Sequence, residues 1–314
     1  MLQLLCEVRG VNMGIGSERV VYPELWQPES MEEARKIANN VSPHYQWAAG
    51  TTLLRTQWEM GTAPVPKHLI SLANIRELNA CTAEEEGLRI GALMRLNACA
   101  TFERIQTHFP LLSQAIDVIS APSIRNLATL GGNIVSGVGD SIPVLLVYEA
   151  SLRWMTEAGL SEKELTEWLE EWRRGQRSAD HFLTEIWIPL PESKSEEESH
   201  TVSFFKKIGR REAFTPALVT IAFHGTLNSQ GEWSSLAMAA GGGSGTAMRL
   251  IETEKWIREF PVSGLPLSEL MKQVQDEFVT ISDVFATDSY RKQAVAGLFA
   301  SELWKSMRSA RRSV

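Results

Sequence analysis

Short apolar runs alternate with stretches of helical period through the first half of the chain, and each change of period marks an element. Arg19-Val20-Val21-Tyr22 predicts a short strand, and the capping box Ser30-Met31-Glu32-Glu33 opens a helix through about Asn39. Tyr45–Ala49 is a compact run of strand type, after which Gly50-Thr51-Thr52 turns into an amphipathic helix from Leu53 to about Met60. His68–Leu72 and Leu88–Gly91 predict further strands. Helical spacing returns from Phe102 to Ile119, divided in two by Pro110, and again over Ser141–Ala150; Phe182–Ile188 is a strand closed by Pro189.

Residues 191–200, Pro-Glu-Ser-Lys-Ser-Glu-Glu-Glu-Ser-His, have no apolar side chain after Pro191 and predict a domain boundary. Beyond it lie strands at Val202–Lys206, Leu218–His224 and Trp233–Ala239, a glycine turn at Gly241–Gly245, and helices at about Ala247–Glu259, Leu267–Phe278 and Ser289–Met307. The expected fold class is α+β: a first domain over about 13–190, in two lobes (13–71 and 72–190), and a C-terminal domain over 200–310 with a three-stranded sheet plus helices.

The 314 residues suit two domains, and 44% hydrophobic with 22% charged residues excludes disorder as the main description. A net charge of −7 argues against nucleic acid as partner, which leaves proteins and small molecules. Cys6, Cys81 and Cys99 are too few and too scattered for a zinc ribbon or an iron–sulfur cluster and indicate a reducing compartment. No apolar run approaches the ~20 residues of a membrane helix, and Leu2–Cys6 lacks the basic flank of a signal peptide. The expected location is cytoplasmic, with either Met1 or Met13 as the natural start.

Two glycine-bearing turns carry the candidate chemistry: Trp47-Ala48-Ala49-Gly50-Thr51-Thr52-Leu53 and Ala128-Thr129-Leu130-Gly131-Gly132-Asn133-Ile134. Consecutive amides without intervening side chains can face a phosphate, so either turn could hold a pyrophosphate; taken singly, each reads first as a structural turn. Neither fits a P-loop or a Rossmann fingerprint. Gly241–Gly245 reads as a plain turn, and Gly243→Ala is expected to matter little for binding. The six histidines show no metal-ligand spacing, and no Ser-His-Asp pattern is present.

Taken together and in this order, the two turns resemble those of the flavin-binding (medium) subunit of the molybdenum hydroxylases, the xanthine dehydrogenase and aerobic carbon monoxide dehydrogenase group. That family's first loop, Ala-Gly-Gly-Thr-x-Leu, is matched by Ala48–Leu53, with Ala49 in place of a glycine. Its second, Arg-Asn-x-Ala-Thr-Ile-Gly-Gly-Asn-Ile, is matched by Arg125–Ile134. Asp140-Ser141-Ile142-Pro143, the strand Leu183–Pro189, Phe204-Phe205-Lys206 with Arg210-Arg211, and Ser289-Tyr290-Arg291 also have counterparts.

The resemblance implies a two-lobed FAD domain of the p-cresol methylhydroxylase-like type, with non-covalent FAD held by Gln46, Trp47, Ala48, Ala49, Gly50, Thr51, Thr52 and Leu53 of the first loop. From the second loop it implies Thr129, Leu130, Gly131, Gly132 and Asn133, and beyond the loops Ile119, Asp140 and Lys206. Asp140 reads equally as a helix N-cap, and Lys206 as a solvated strand-end lysine. Gly131→Val or Gly132→Val is expected to abolish binding. The implied function is electron transfer within a complex: an iron–sulfur subunit and a molybdenum-cofactor subunit deliver electrons, and NAD or another acceptor takes them, with purine as the default substrate. The alternatives are a free-standing flavoprotein oxidoreductase of the same fold and a non-catalytic scaffold.

Overall fold

The computed structural model describes residues 22–176, 178–190, 200–211, 215–243 and 245–310. Most of the expected first strand, part of the acidic linker and Glu212–Phe214 lie outside the described residues.

The chain opens with β1 (Glu24–Trp26), α1 (Met31–Val41), β2 (Tyr45–Ala48), α2 (Thr52–Glu59) and β3 (His68–Ser71). Ser30 caps α1, its hydroxyl accepting from the Glu33 amide; the Glu33 carboxylate reaches back to the Glu29 amide, one residue before the N-cap amide that a capping box uses. The three strands form a parallel sheet in the order β1-β3-β2. Next come β4 (Cys81–Ala83), β5 (Gly87–Gly91), α3 (Leu96–Thr101), α4 (Glu103–His108), α5 (Pro110–Asp117), α6 (Pro122–Arg125), α7 (Leu130–Val135) and α8 (Ile142–Val147). The hairpin β6 (Ser151–Thr156)–β7 (Gly159–Glu164), α9 (Leu165–Arg173) and β8 (Phe182–Pro189) complete a five-stranded antiparallel sheet, β4-β5-β8-β6-β7. The hairpin and α9 escape a reading by periodicity because β7 is Gly-Leu-Ser-Glu-Lys-Glu, with no residue fully buried.

The C-terminal part is β9 (His200–Gly209), β10 (Ala217–Leu227), β11 (Trp233–Gly242), β12 (Gly245–Arg249), α10 (Ile251–Ile257), α11 (Leu267–Glu277) and α12 (Asp288–Ala310). Its sheet has four strands, β12-β11-β10-β9, not the expected three. The fourth, Gly-Thr-Ala-Met-Arg, has only two large side chains in its five residues and does not stand out by pattern from the glycine turn before it and the helix after it.

The two faces of this sheet have different partners. Phe204, Val219, Ile221, Phe223 and Met238 pack with α10–α12 in one core. Phe205, Ala222, Ala237 and Ala239 join the core of the first part instead. The small residues of that second face let α8 lie directly on β10 and β11, and all six of its residues, Ile-Pro-Val-Leu-Leu-Val, are buried. Arg249 clasps the same junction: it forks onto Glu254 with two bonds of 2.7 Å and reaches Glu149 and the Leu146 carbonyl.

Arg291 is fully buried at the start of α12. It donates to the Leu218 carbonyl at 3.1 Å, the Ile281 carbonyl, and the Asp283 carboxylate at 2.6 Å. Gly243, with φ +66°, lies against this guanidinium: a Cβ there would fall 2.5 Å from Arg291 Cζ. Gly243 thus has a packing role of its own and is not freely replaceable. Arg291→Ala should cost roughly 3 kcal/mol, since truncation strands buried polar partners, and Gly243→Ala should also destabilise; both are read from the midpoint of urea unfolding.

His224 on β10 packs against Tyr148 with ring centroids 5.3 Å apart, and its Nδ1 is buried without a partner among the described residues. Burial lowers its pKa. The unfolded chain, titrating near pH ~6.5, then binds the proton more readily than the folded one, so this group's contribution is intact above that pH and is lost as pH falls below it. His224→Gln should shrink the difference in urea midpoint between about pH 7.5 and about pH 5.5.

Candidate functional site

The first loop leaves the end of β2 and enters α2 through Thr51, which has φ +55° and whose hydroxyl donates to the Gly50 carbonyl at 2.9 Å. The amides of Gly50 through Leu53 meet no acceptor among the described residues. Unpaired amides at the start of a helix attract an anion.

The second loop is held rigidly. Leu96 donates to the Ala128 carbonyl at 2.9 Å, Leu130 to Met94 at 3.0 Å and Gly131 to Ala92 at 2.9 Å. Thr129 caps α7 by accepting from the Gly132 amide at 3.0 Å. Asn133 Oδ1 accepts from the Ser141 hydroxyl at 2.6 Å and its amide at 3.3 Å, which ties α7 to the start of α8.

Glycine is needed where these segments touch. A Cβ on Gly50 would fall 2.2 Å from the Leu127 carbonyl oxygen, and one on Gly131 would fall 2.6 Å from that of Ala92. Gly132 is more open, meeting only Thr129 Oγ1 at 2.9 Å. Gly131→Val would thus displace the backbone before any ligand is considered, whereas a change at Gly132 acts on the exposed surface of the loop.

Both loops face one cleft of about 1450 Å³. Gln46 through Leu53, Ile119, Thr129, Gly131, Gly132, Asn133 and Asp140 all line it. Two expected residues do not. Leu130 is fully buried in the core, because it faces inward from the first turn of α7. Lys206 turns away and lies 3.6 Å from Glu302 of α12; alternation along β9 sends Phe204 and Lys206 toward the helices and Phe205 and Lys207 toward the cleft side.

The β9 lysine at the cleft is therefore Lys207. Its ammonium donates to Asp140 at 2.6 Å and to the Val118 carbonyl at 2.9 Å. Asp140 is not the N-cap of α8, a position held by Ser141. Burial raises the Asp140 pKa, and the charge and hydrogen bond of Lys207 oppose that rise. Strand parity was the signal for Lys207: it shares a face with Phe205, one residue from the lysine that the motif suggested.

Residues 19–191 match the family described as FAD binding domain in molybdopterin dehydrogenase, and residues 203–305 match the CO dehydrogenase flavoprotein C-terminal domain. The chain belongs to this flavoprotein family. Its cofactor is FAD. It is 23% identical over 286 residues to the nicotinate dehydrogenase FAD-subunit of Eubacterium barkeri, covering 88% of this chain and 93% of that protein. It is 27% identical over 228 residues to the xanthine dehydrogenase FAD-binding subunit of Escherichia coli O157:H7, covering 72% and 76%. In fold it is similar to a chain of the Cu,Mo-CO dehydrogenase structure in its cyanide-inactivated form, with a TM-score of 0.80 at 18% identity over 91% of this chain and 98% of that one.

Unpaired amides, a cleft of about 1450 Å³ and two glycine loops in contact fit a dinucleotide. Among the described residues no cluster of three His, Cys, Asp or Glu side chains is placed to hold a metal ion, and no helix is long and apolar enough to cross a membrane.

Lys207→Met should leave Asp140 buried without its cation and lower both melting temperature and the flavin-to-protein ratio of the purified chain. Lys206→Met should change neither measurably. Equal losses in the two variants would contradict the assignment of faces along β9.

Proposed function

We propose that this FAD-binding subunit of the molybdenum hydroxylase family works in the cytoplasm as the electron outlet of a complex, joined to an iron–sulfur subunit and a molybdenum-cofactor subunit, with NAD or another acceptor as the exit. The observation that carries the reading is the shared cleft: both motif loops line it together with Lys207, Pro216 and Ala217 of the C-terminal part.

In this reading the Gly50–Leu53 amides bind the pyrophosphate, and Thr129, Gly132 and Asn133 hold the chain of the cofactor from the second loop. Ile119 gives apolar cover. Asp140 and Lys207 present a fixed charged pair that orients polar edges and joins the two parts of the chain at the site. Bound FAD supplies the exchange between single-electron and paired-electron transfer. The protein needs no acid or base of its own for electron entry; it binds, orients and limits water.

Relatives named for nicotinate and xanthine dehydrogenases support an aromatic nitrogen heterocycle as the substrate of the whole complex, oxidised on another subunit, with purines the first class to test. The chain should be expressed with and without its genomic neighbours and mixed with xanthine or nicotinate under anaerobic conditions while flavin absorbance is followed. The expected result is bleaching only in the assembled complex. Rapid bleaching in the isolated chain would instead establish a free-standing oxidoreductase, and a folded chain that binds no FAD would establish a scaffold.

A further inference from the structure

One residue of the second motif turns away from the cleft. Arg125 opens the Arg125–Ile134 match and ends α6, yet it does not line the cleft and reaches back to the end of α5 instead. Its Nη1 donates to three backbone carbonyls, those of Asp117 at 3.1 Å, Ile119 at 3.1 Å and Ser120 at 3.0 Å. Its Nε is buried and meets no acceptor among the described residues, so these carbonyls are what hold the guanidinium. The carbonyl left out of the set, that of Val118, accepts from Lys207 Nζ at 2.9 Å. Four consecutive carbonyls, 117 to 120, are thus divided between two cations, one from α6 and one from β9.

Such a segment does not keep its shape unaided. Asp117 is the last residue of α5, and the final carbonyls of a helix have no partner within it. Carbonyl dipoles that converge on one point repel one another unless a positive charge sits there. Ser120 lies in the left-handed region, with φ +48°, which a residue other than glycine holds only where its surroundings impose it. A plain helix cap would need one cation. Here a second comes from 89 residues further along the chain.

The segment is also part of the cleft, since Ile119 and Ser120 line it. We propose that Arg125 is a positioning residue for FAD binding: from behind the wall it supplies the internal cation of the carbonyl cluster and, with Lys207, fixes the Ile119–Ser120 face that the cleft presents. The wall then takes its shape only when the motif segment and the C-terminal part are both in place. This rests on FAD occupying the cleft and adds that charge held behind the wall sets its conformation.

The test uses the full chain after reversible removal of flavin. Hydrogen exchange over residues 117–121, read by mass spectrometry, reports the wall with no cofactor present, and titration with FAD reports what the wall does for binding. Arg125→Met, which keeps an unbranched stem and removes the cation, should speed exchange in that segment at least tenfold while β8 keeps its parent rate. It should weaken FAD by about ten- to a hundredfold, the range expected for lost hydrogen bonds from a charged donor. Arg125→Lys, which returns a cation to the carbonyls, should recover most of both losses. Glu277→Ala is the control for a purely structural role: it strips α10 of its cap and lines no part of the cleft. It should lower the urea midpoint and leave both readouts as in the parent.

Parent-like exchange or parent-like FAD affinity in folded Arg125→Met would overturn the proposal. So would a loss in Arg125→Lys as large as in Arg125→Met, or the same losses in Glu277→Ala. Should Arg125→Met fail to fold, Lys207→Met decides in its place: removal of the Val118 partner should loosen 117–121, and unchanged exchange there overturns the proposal. A parent chain that binds no FAD would defeat the cofactor reading, while exchange over 117–121 would still test the two-cation clamp.

Discussion

The close approach of Gly50 to the Leu127 carbonyl is the contact on which the site depends. It seats the turn between β2 and α2 against the segment between α6 and α7, and so brings the three-stranded and five-stranded sheets, which share only a small core, to a single cleft. Neither loop could cross that distance with a side chain in the way. Gly131 repeats the device against Ala92, so the second loop is fastened to the five-stranded sheet while the first is fastened to it. The glycines therefore act first through packing. The open amides of the first loop are what that packing leaves available to a ligand.

The C-terminal part reaches the same cleft by a different route. A sheet with alanines on one face and large apolar residues on the other fits closely over α8 while keeping its own core beneath α10–α12. That fit places the edge strand β9 beside Asp140, where Lys207 closes an ion pair across the junction. A buried carboxylate and a buried ammonium each cost solvation, and the pair offsets that cost only while the two parts stay in register. The charged pair thus works more as a constraint on alignment than as a source of stability.

Much of this was legible beforehand because the informative signals were local. The capping box at Ser30, the turn at Gly50, the alternation in β8 and the ten-residue match at Arg125–Ile134 each describe their own neighbourhood, and each element formed where its signal stood. What escaped depended on distant partners. The β6–β7 hairpin is largely polar and gains its place by pairing with β8; β12 is too short and small to announce itself. Lys207 belongs to the cleft only through the face that β9 presents. A motif names residues by spacing, whereas the sheet sorts them by parity, and at 206 and 207 the two disagree.

That sorting makes β9 far more sensitive to its length than to its composition. A single residue inserted or deleted between His200 and Phe204, with the start of the strand held in register, would exchange the two faces for all that follows. It would carry a phenylalanine away from each core and take the ammonium from Asp140 to the α12 side, all without altering any side chain. Most letters of the strand can change within their size and polarity, but its count of residues from the edge of the cleft is a fixed quantity of the architecture.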